Sequence, residues 1–233
     1  MKDMKQYEFW FITGSQHLYG EETLKKVAEH SQAMVAGMDG ALSGKLVYKG
    51  VMTTPDEITA IMKEANYRDE CAGIITWMHT FSPSKMWING LKILNKPMLH
   101  LHTQFNREIP FDGIDMDFMN LNQSAHGDRE HGFINARLRL QRKVVVGYWE
   151  NEKVQKEISD WMRSAVGIIA GQGLKVVRFA DNMREVAVTE GDKVEAQIKF
   201  GWAVNSLSMG ELVQEIGKVS DQAVNAVYEE CRE

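Results

Sequence analysis

Apolar positions along the chain alternate between short continuous runs and stripes spaced three and four apart. Residues 7–13 (YEFWFIT) form an unbroken apolar and aromatic run ending at Gly14, the pattern of a strand buried on both faces. After Gly20, the residues Leu24, Val27, Ala28, Met34, Val35 and Met38 fall on one helical stripe that Gly40 stops. Residues 45–52 read as a second strand. Thr54-Pro55-Asp56-Glu57 then reads as a capping box with proline at the first helical position, ahead of a buried stripe of Ile58, Ile61, Met62 and Ala65.

The unit repeats. Residues 71–78 (CAGIITWM) predict a third strand, Ser82-Pro83 a helix start running to Leu94, and residues 97–102 (PMLHLH) a fourth strand. Residues 104–125 lack periodicity and predict a long functional loop with a short helical turn. A polar helix over 128–141, a strand over 143–149 and a helix over 152–169 follow. Strands separated by helices must pair in parallel, because each crossover returns to the same end of the sheet. The expected fold is α/β, a doubly wound flavodoxin-like parallel sheet of about five strands.

Gly171-Gln172-Gly173 marks a linker, giving a first domain over 1–172 and the beginning of a second over 173–233. Within the second, residues 174–180 predict a strand, residues 185–189 and 193–200 a hairpin about Glu190-Gly191-Asp192, and helices start near Gly210 and Ser220. So short a segment cannot bury a comparable core, and 174–233 is expected to expose apolar surface.

Composition narrows the function. The chain has 233 residues, 44% of them hydrophobic and 25% charged, with a net charge of −5. The scattered cations disfavour nucleic acid and anionic membranes. No apolar run approaches the roughly 18 residues of a membrane span, and the first residues show no leader pattern. Cys71 and Cys231 form no metal-type pair, and reduced thiols fit a cytoplasmic location.

Ligands of open parallel sheets bind at the carboxyl ends of the strands. Those ends carry residues 14–20 (GSQHLYG), 79–81 (HTF), 102–104 (HTQ) and, beyond the long loop, 120–126 (NLNQSAH). Amides, hydroxyls, imidazoles and the rings of Tyr19 and Phe81 suit a neutral polyhydroxylated ligand. Neither a P-loop nor a dinucleotide fingerprint is present, and no acidic residue closes the second strand, so a nucleotide cofactor is disfavoured. Single residues also have structural readings. His17 and His79 serve equally as packed core imidazoles, and His100 reads as buried. His100 and His102 share one strand face. Gln16 and Gln123 can bond loop carbonyls, Met183 can fill a core, and Asp115 with Asp117 reads as a helix cap more readily than as a metal pair. His126 and His131 lie on different helix faces, so a complete metal centre is not expected there.

Several segments nevertheless form a recognisable set: 14–20 (GSQHLYG), 53–58 (TTPDEI), 77–87 (WMHTFSPSKMW), 102–106 (HTQFN), 115–123 (DMDFMNLNQ), 178–188 (RFADNMREVAV) and 191–201 (GDKVEAQIKFG). Together they resemble the L-arabinose isomerase family, over somewhat less than half of a family chain. The resemblance implies interconversion of L-arabinose with L-ribulose, and of D-galactose with D-tagatose. It implies Mn²⁺ held by two glutamates and two histidines, all in the half of a family chain beyond these residues, so no complete metal site and no isolated activity is expected here. It also implies that Gln16, Leu18 and Phe81 line the sugar pocket, that Met183 approaches the sugar from the central domain, and that Gln123 and His126 reach a neighbouring active site in a homo-hexamer. A complementing C-terminal chain is the other partner it suggests. The alternative function is a non-catalytic sugar-binding or complementing α/β module.

Overall fold

The computed structural model describes residues 4–180 and 182–232; the start of the chain, read above for a leader, lies outside the described residues. The chain divides into two compact units, Met1–Ile169 and Ala170–Glu233.

The first unit holds five strands: β1 (Glu8–Gly14), β2 (Lys45–Met52), β3 (Cys71–Met78), β4 (Met98–His102) and β5 (Lys143–Val146). They pair in parallel in the order β2-β1-β3-β4-β5. The connecting helices are α1 (Gly20–Asp39), α2 (Pro55–Tyr67), α3 (Ile88–Ile93), α4 (Met116–Leu121), α5 (Ser124–Arg137) and α6 (Glu152–Gly171). This is the expected doubly wound flavodoxin-like arrangement. Every residue of β3 is buried, as its unbroken apolar run requires of a central strand. Trp10, Ile12, Ile74 and Met78 pack against Ile58, Met62, Trp87 and Leu91 in one core cluster.

The α2 start forms as a full capping box: Glu57 N donates to Thr54 Oγ1, and the Glu57 carboxylate accepts from Thr54 N. The Ser82-Pro83 start does not form. Ser82 is buried and its hydroxyl accepts from Trp87 Nε1 at 3.0 Å, so a 3₁₀ turn over Ser84–Trp87 precedes α3. Burying the Trp87 indole demanded a partner for its N–H, and Ser82 supplies it. The polar helix begins earlier than the pattern indicates, at Ser124, and ends at Arg137. β5 stops at Val146, where Gly147 takes φ 141°.

In the second unit, β6 (Lys175–Phe179), α7 (Lys193–Phe200) and β7 (Ala203–Leu207) form a parallel βαβ unit, followed by α8 (Met209–Ile216) and α9 (Asp221–Glu230). The hairpin read at 190–192 is corrected. Asp192 caps α7 by accepting from Glu195 N at 2.8 Å, and Gly201 ends it in the left-handed region at φ 73°. No side chain of this unit is fully buried among the described residues.

Candidate functional site

In the order β2-β1-β3-β4-β5 the crossovers diverge between β1 and β3, and the crevice at their carboxyl ends is where such folds bind ligands. Gln16 opens the 3₁₀ turn His17–Tyr19 after β1, in extended backbone. Leu18 projects from that turn and is 83% exposed. Phe81 follows β3. Buried hydroxyls tie these loops together: Ser15 Oγ and Thr80 Oγ1 lie 2.7 Å apart, and Thr53 Oγ1 lies 3.0 Å from His17 Nε2. These bonds satisfy polar groups that the strand ends carry below the surface, so the crevice rests on a fixed polar floor.

The N-cap and first turn of α5 bring Gln123 and His126 to the same end. Gln123 is the N-cap residue of α5; its carbonyl accepts from His126 N and Gly127 N, each at 3.1 Å, and its Nε2 donates to Asn120 Oδ1 at 3.2 Å. Ser124 Oγ donates to His79 O at 3.2 Å, binding α5 to the end of β3. The rings of Phe81 and His126 stack with centroids 4.4 Å apart. Five of the six sequence-derived candidates thus gather at one end of the first unit. The sixth, Met183, belongs to the second unit, is 65% exposed, and lines a cavity of about 350 Å³ with Arg178, Asn182, Asp192 and Lys193. Asp115 behaves as the cap read from the sequence, accepting from Phe118 N at 2.8 Å.

Beneath the crevice, His79 Nε2 meets His30 Nδ1 at 2.7 Å, and the Trp77 ring stacks on His79 at 4.3 Å. Burial pushes the His79 pKa down to about 3 and lowers that of His30, so both are neutral near pH 7. His79 is therefore a packed core imidazole.

A second constellation lies at the ends of β4 and α5. Asp128 Oδ1 is 2.8 Å from His100 Nε2, and His100 Nδ1 is 3.1 Å from His102 Nε2. Burial raises the Asp128 pKa to about 8 and lowers that of His100 to about 3, so the neutral forms are favoured and the contact is a hydrogen bond rather than an ion pair. His102 and Asp128 line a groove of about 610 Å³ together with Gln104, Asn106, Arg129 and Tyr148. The H-x-H spacing gives the shared face of the two imidazoles. The arrival of Asp128 from α5 has no sequence signal.

A doubly wound α/β protein with neutral amides, hydroxyls and the stacked Phe81–His126 pair at its switch point is the class that fold and site define. Comparison with known proteins makes this particular. Residues 3–173 match the L-arabinose isomerase N-terminal domain and residues 175–233 the L-arabinose isomerase central domain. The L-arabinose isomerase of Geobacillus stearothermophilus is 61% identical across 100% of this chain, which covers 47% of that protein. Those of Halalkalibacterium halodurans and Thermotoga petrophila are 60% and 59% identical, again over 100% of this chain and 47% of theirs. The chain belongs to the L-arabinose isomerase family and spans about half the length of these relatives. Among solved structures, an azoreductase from Bacillus anthracis str. Sterne covers 70% of the chain at 13% identity with a TM-score of 0.27.

Proposed function

We propose that this chain forms the amino-terminal substrate wall of an aldose–ketose isomerase interconverting L-arabinose and L-ribulose, with D-galactose and D-tagatose as a second pair. The observation that carries the reading is the grouping of Gln16, Leu18, Phe81, Gln123 and His126 at one sheet end in a chain matching both family domains throughout. The Gln16 and Gln123 amides pair with sugar hydroxyls, and the Phe81 ring lies against C–H faces. Met183 contributes from the second domain, whose start we place at residue 173, in keeping with the division after Ile169. Assembly into a homo-hexamer, or with a complementing C-terminal chain, and a cytoplasmic location complete the reading. Among the described residues no helix is long and apolar enough to cross a membrane.

The resemblance implies Mn²⁺ on two glutamates and two histidines. Among the described residues the group able to hold an ion is His100, His102 and Asp128, which has one carboxylate and no glutamate. It does not fit that set.

Incubating the purified chain with Mn²⁺ and L-arabinose is expected to yield no ketose, with turnover restored by a fragment carrying the rest of the family chain. Turnover by the chain alone would overturn this division of labour. In the reconstituted complex, Gln16→Ala and His126→Ala are expected to raise the KM for sugar several-fold while the circular dichroism spectrum stays unchanged, since Gln16 is only half-buried and His126 is exposed on the first turn of α5. An unchanged KM in both would remove these residues from the wall.

A further inference from the structure

We propose that His100, His102 and Asp128 form a binding site for a divalent cation of the zinc class, set at the carboxyl end of β4 and open to the groove beside it. The site stands on these side chains alone and is independent of the sugar reading.

Three observations converge on it. First, residues two apart on a strand project to the same face, so the H-x-H of β4 presents two imidazoles together. Second, α5 packs on the sheet and delivers the Asp128 carboxylate to that face, so that one ligand atom from each of the three residues lies within 4.8 Å of the others. His100 turns Nε2 to Asp128 and Nδ1 to His102. An ion takes only one of those nitrogens, so the three ligand atoms must close from within 4.8 Å to the roughly 3.3 Å that bonds of 2.0–2.2 Å to a tetrahedral ion require. Third, His102 and Asp128 both line the groove, which gives an ion an entry path and leaves room for water at the fourth position.

The donor set chooses the ion. Two imidazole nitrogens and one carboxylate oxygen suit Zn²⁺ or Co²⁺, whereas Mg²⁺ and Ca²⁺ take oxygen ligands and thiolate-preferring ions find no sulfur among these three residues. Removing His100 and Asp128 from water disfavours charge on either, and a bound dication reverses that balance for the carboxylate. The structural consequence is a clamp. The ion would bridge β4 and the first turns of α5, the helix that carries His126 two positions before Asp128.

The test uses the whole chain, free of any affinity tag, stripped with chelator and titrated with zinc or cobalt chloride. One ion per chain is expected at micromolar or tighter affinity, with the intense visible bands of four-coordinate Co²⁺. His102→Gln and Asp128→Asn are each expected to weaken binding by about tenfold or more, and Cys231→Ser to leave it unchanged. Because buried substitutions can unfold a domain, the wild-type chain supplies an independent readout. The ring nitrogens of His100 and His102 should shift in long-range ¹H–¹⁵N spectra on Zn²⁺ addition, while those of His17 stay in place. Absence of uptake, uptake that persists in both variants, or unmoved His100 and His102 signals would leave a hydrogen-bonded chain only and overturn the site.

Discussion

Gly127 shows how a single residue sets the position of a helix, here α5. A Cβ built there would lie 2.8 Å from Met78 Cβ and 2.9 Å from the Thr80 carbonyl oxygen. The second neighbour is backbone and cannot swing aside, so α5 approaches β3 only because this position has no side chain. Gly127→Ala is expected to destabilise the first unit by roughly 1–3 kcal/mol, read from the urea midpoint. His79 makes a different residue-scale prediction. Its folded pKa, about 3, lies below the ordinary histidine value near 6.5. The unfolded chain therefore takes up a proton at this position as pH falls below about 6.5, and the folded chain refuses it until about 3. Stability from this group is fully present above about 6.5 and is lost on acidification, with a slope approaching about 1.4 kcal/mol per pH unit. Urea melts from pH 7 to pH 4 should show the decline, and His79→Gln should make it shallower, with buried His100, also held at about 3, still contributing in the same direction. The His79 ring signals should not titrate between pH 8 and pH 5.

The helix ends carry the clearest local instructions. Thr54 and Glu57 satisfy each other's free N–H groups at the start of α2, and Thr54→Ala is expected to cost about 1 kcal/mol, measured by thermal or urea unfolding. That element was legible because capping chemistry is complete within four residues. The segment that became α7 was not, because Val194, Ala196, Ile198 and Phe200 alternate as a strand would, while Val194 and Ile198 also satisfy helical spacing. Asp192 and Gly201 at its two ends decided for the helix. Ser82 misled in the opposite direction. Its place before Pro83 is that of a cap, and only the packing of Trp87 into the core shows that its hydroxyl is already engaged.

At the scale of the molecule the two units differ in what they bury. The first encloses Trp10, Trp77, Trp87, Phe9 and Phe11 completely. The second leaves Val194, Ile198, Val213 and Ile216 exposed at 69%, 72%, 63% and 61%, as a segment too small to close a core must. Hydrogen exchange is expected to be slowest in β1 and β3 and fast in α7, α8 and α9. A fragment ending at Ile169 should keep the cooperative urea transition of the first unit. Loss of that transition would show that the first unit does not stand alone.

Periodicity, caps and the run lengths of apolar residues were enough to place the five parallel strands, their order of helices and the polar strand ends, because these depend on neighbours a few residues apart. The motifs at those ends were enough to point to the family and to six candidate residues. What sequence could not decide was which distant side chains would meet. Ser15 with Thr80, Phe81 with His126, and Asp128 with His100 and His102 are separated by tens of residues. Their contacts exist because helices pack at fixed distances on a twisted sheet, and only that packing turns separate polar residues into a floor, a stacked pair and a hydrogen-bonded His–His–Asp cluster.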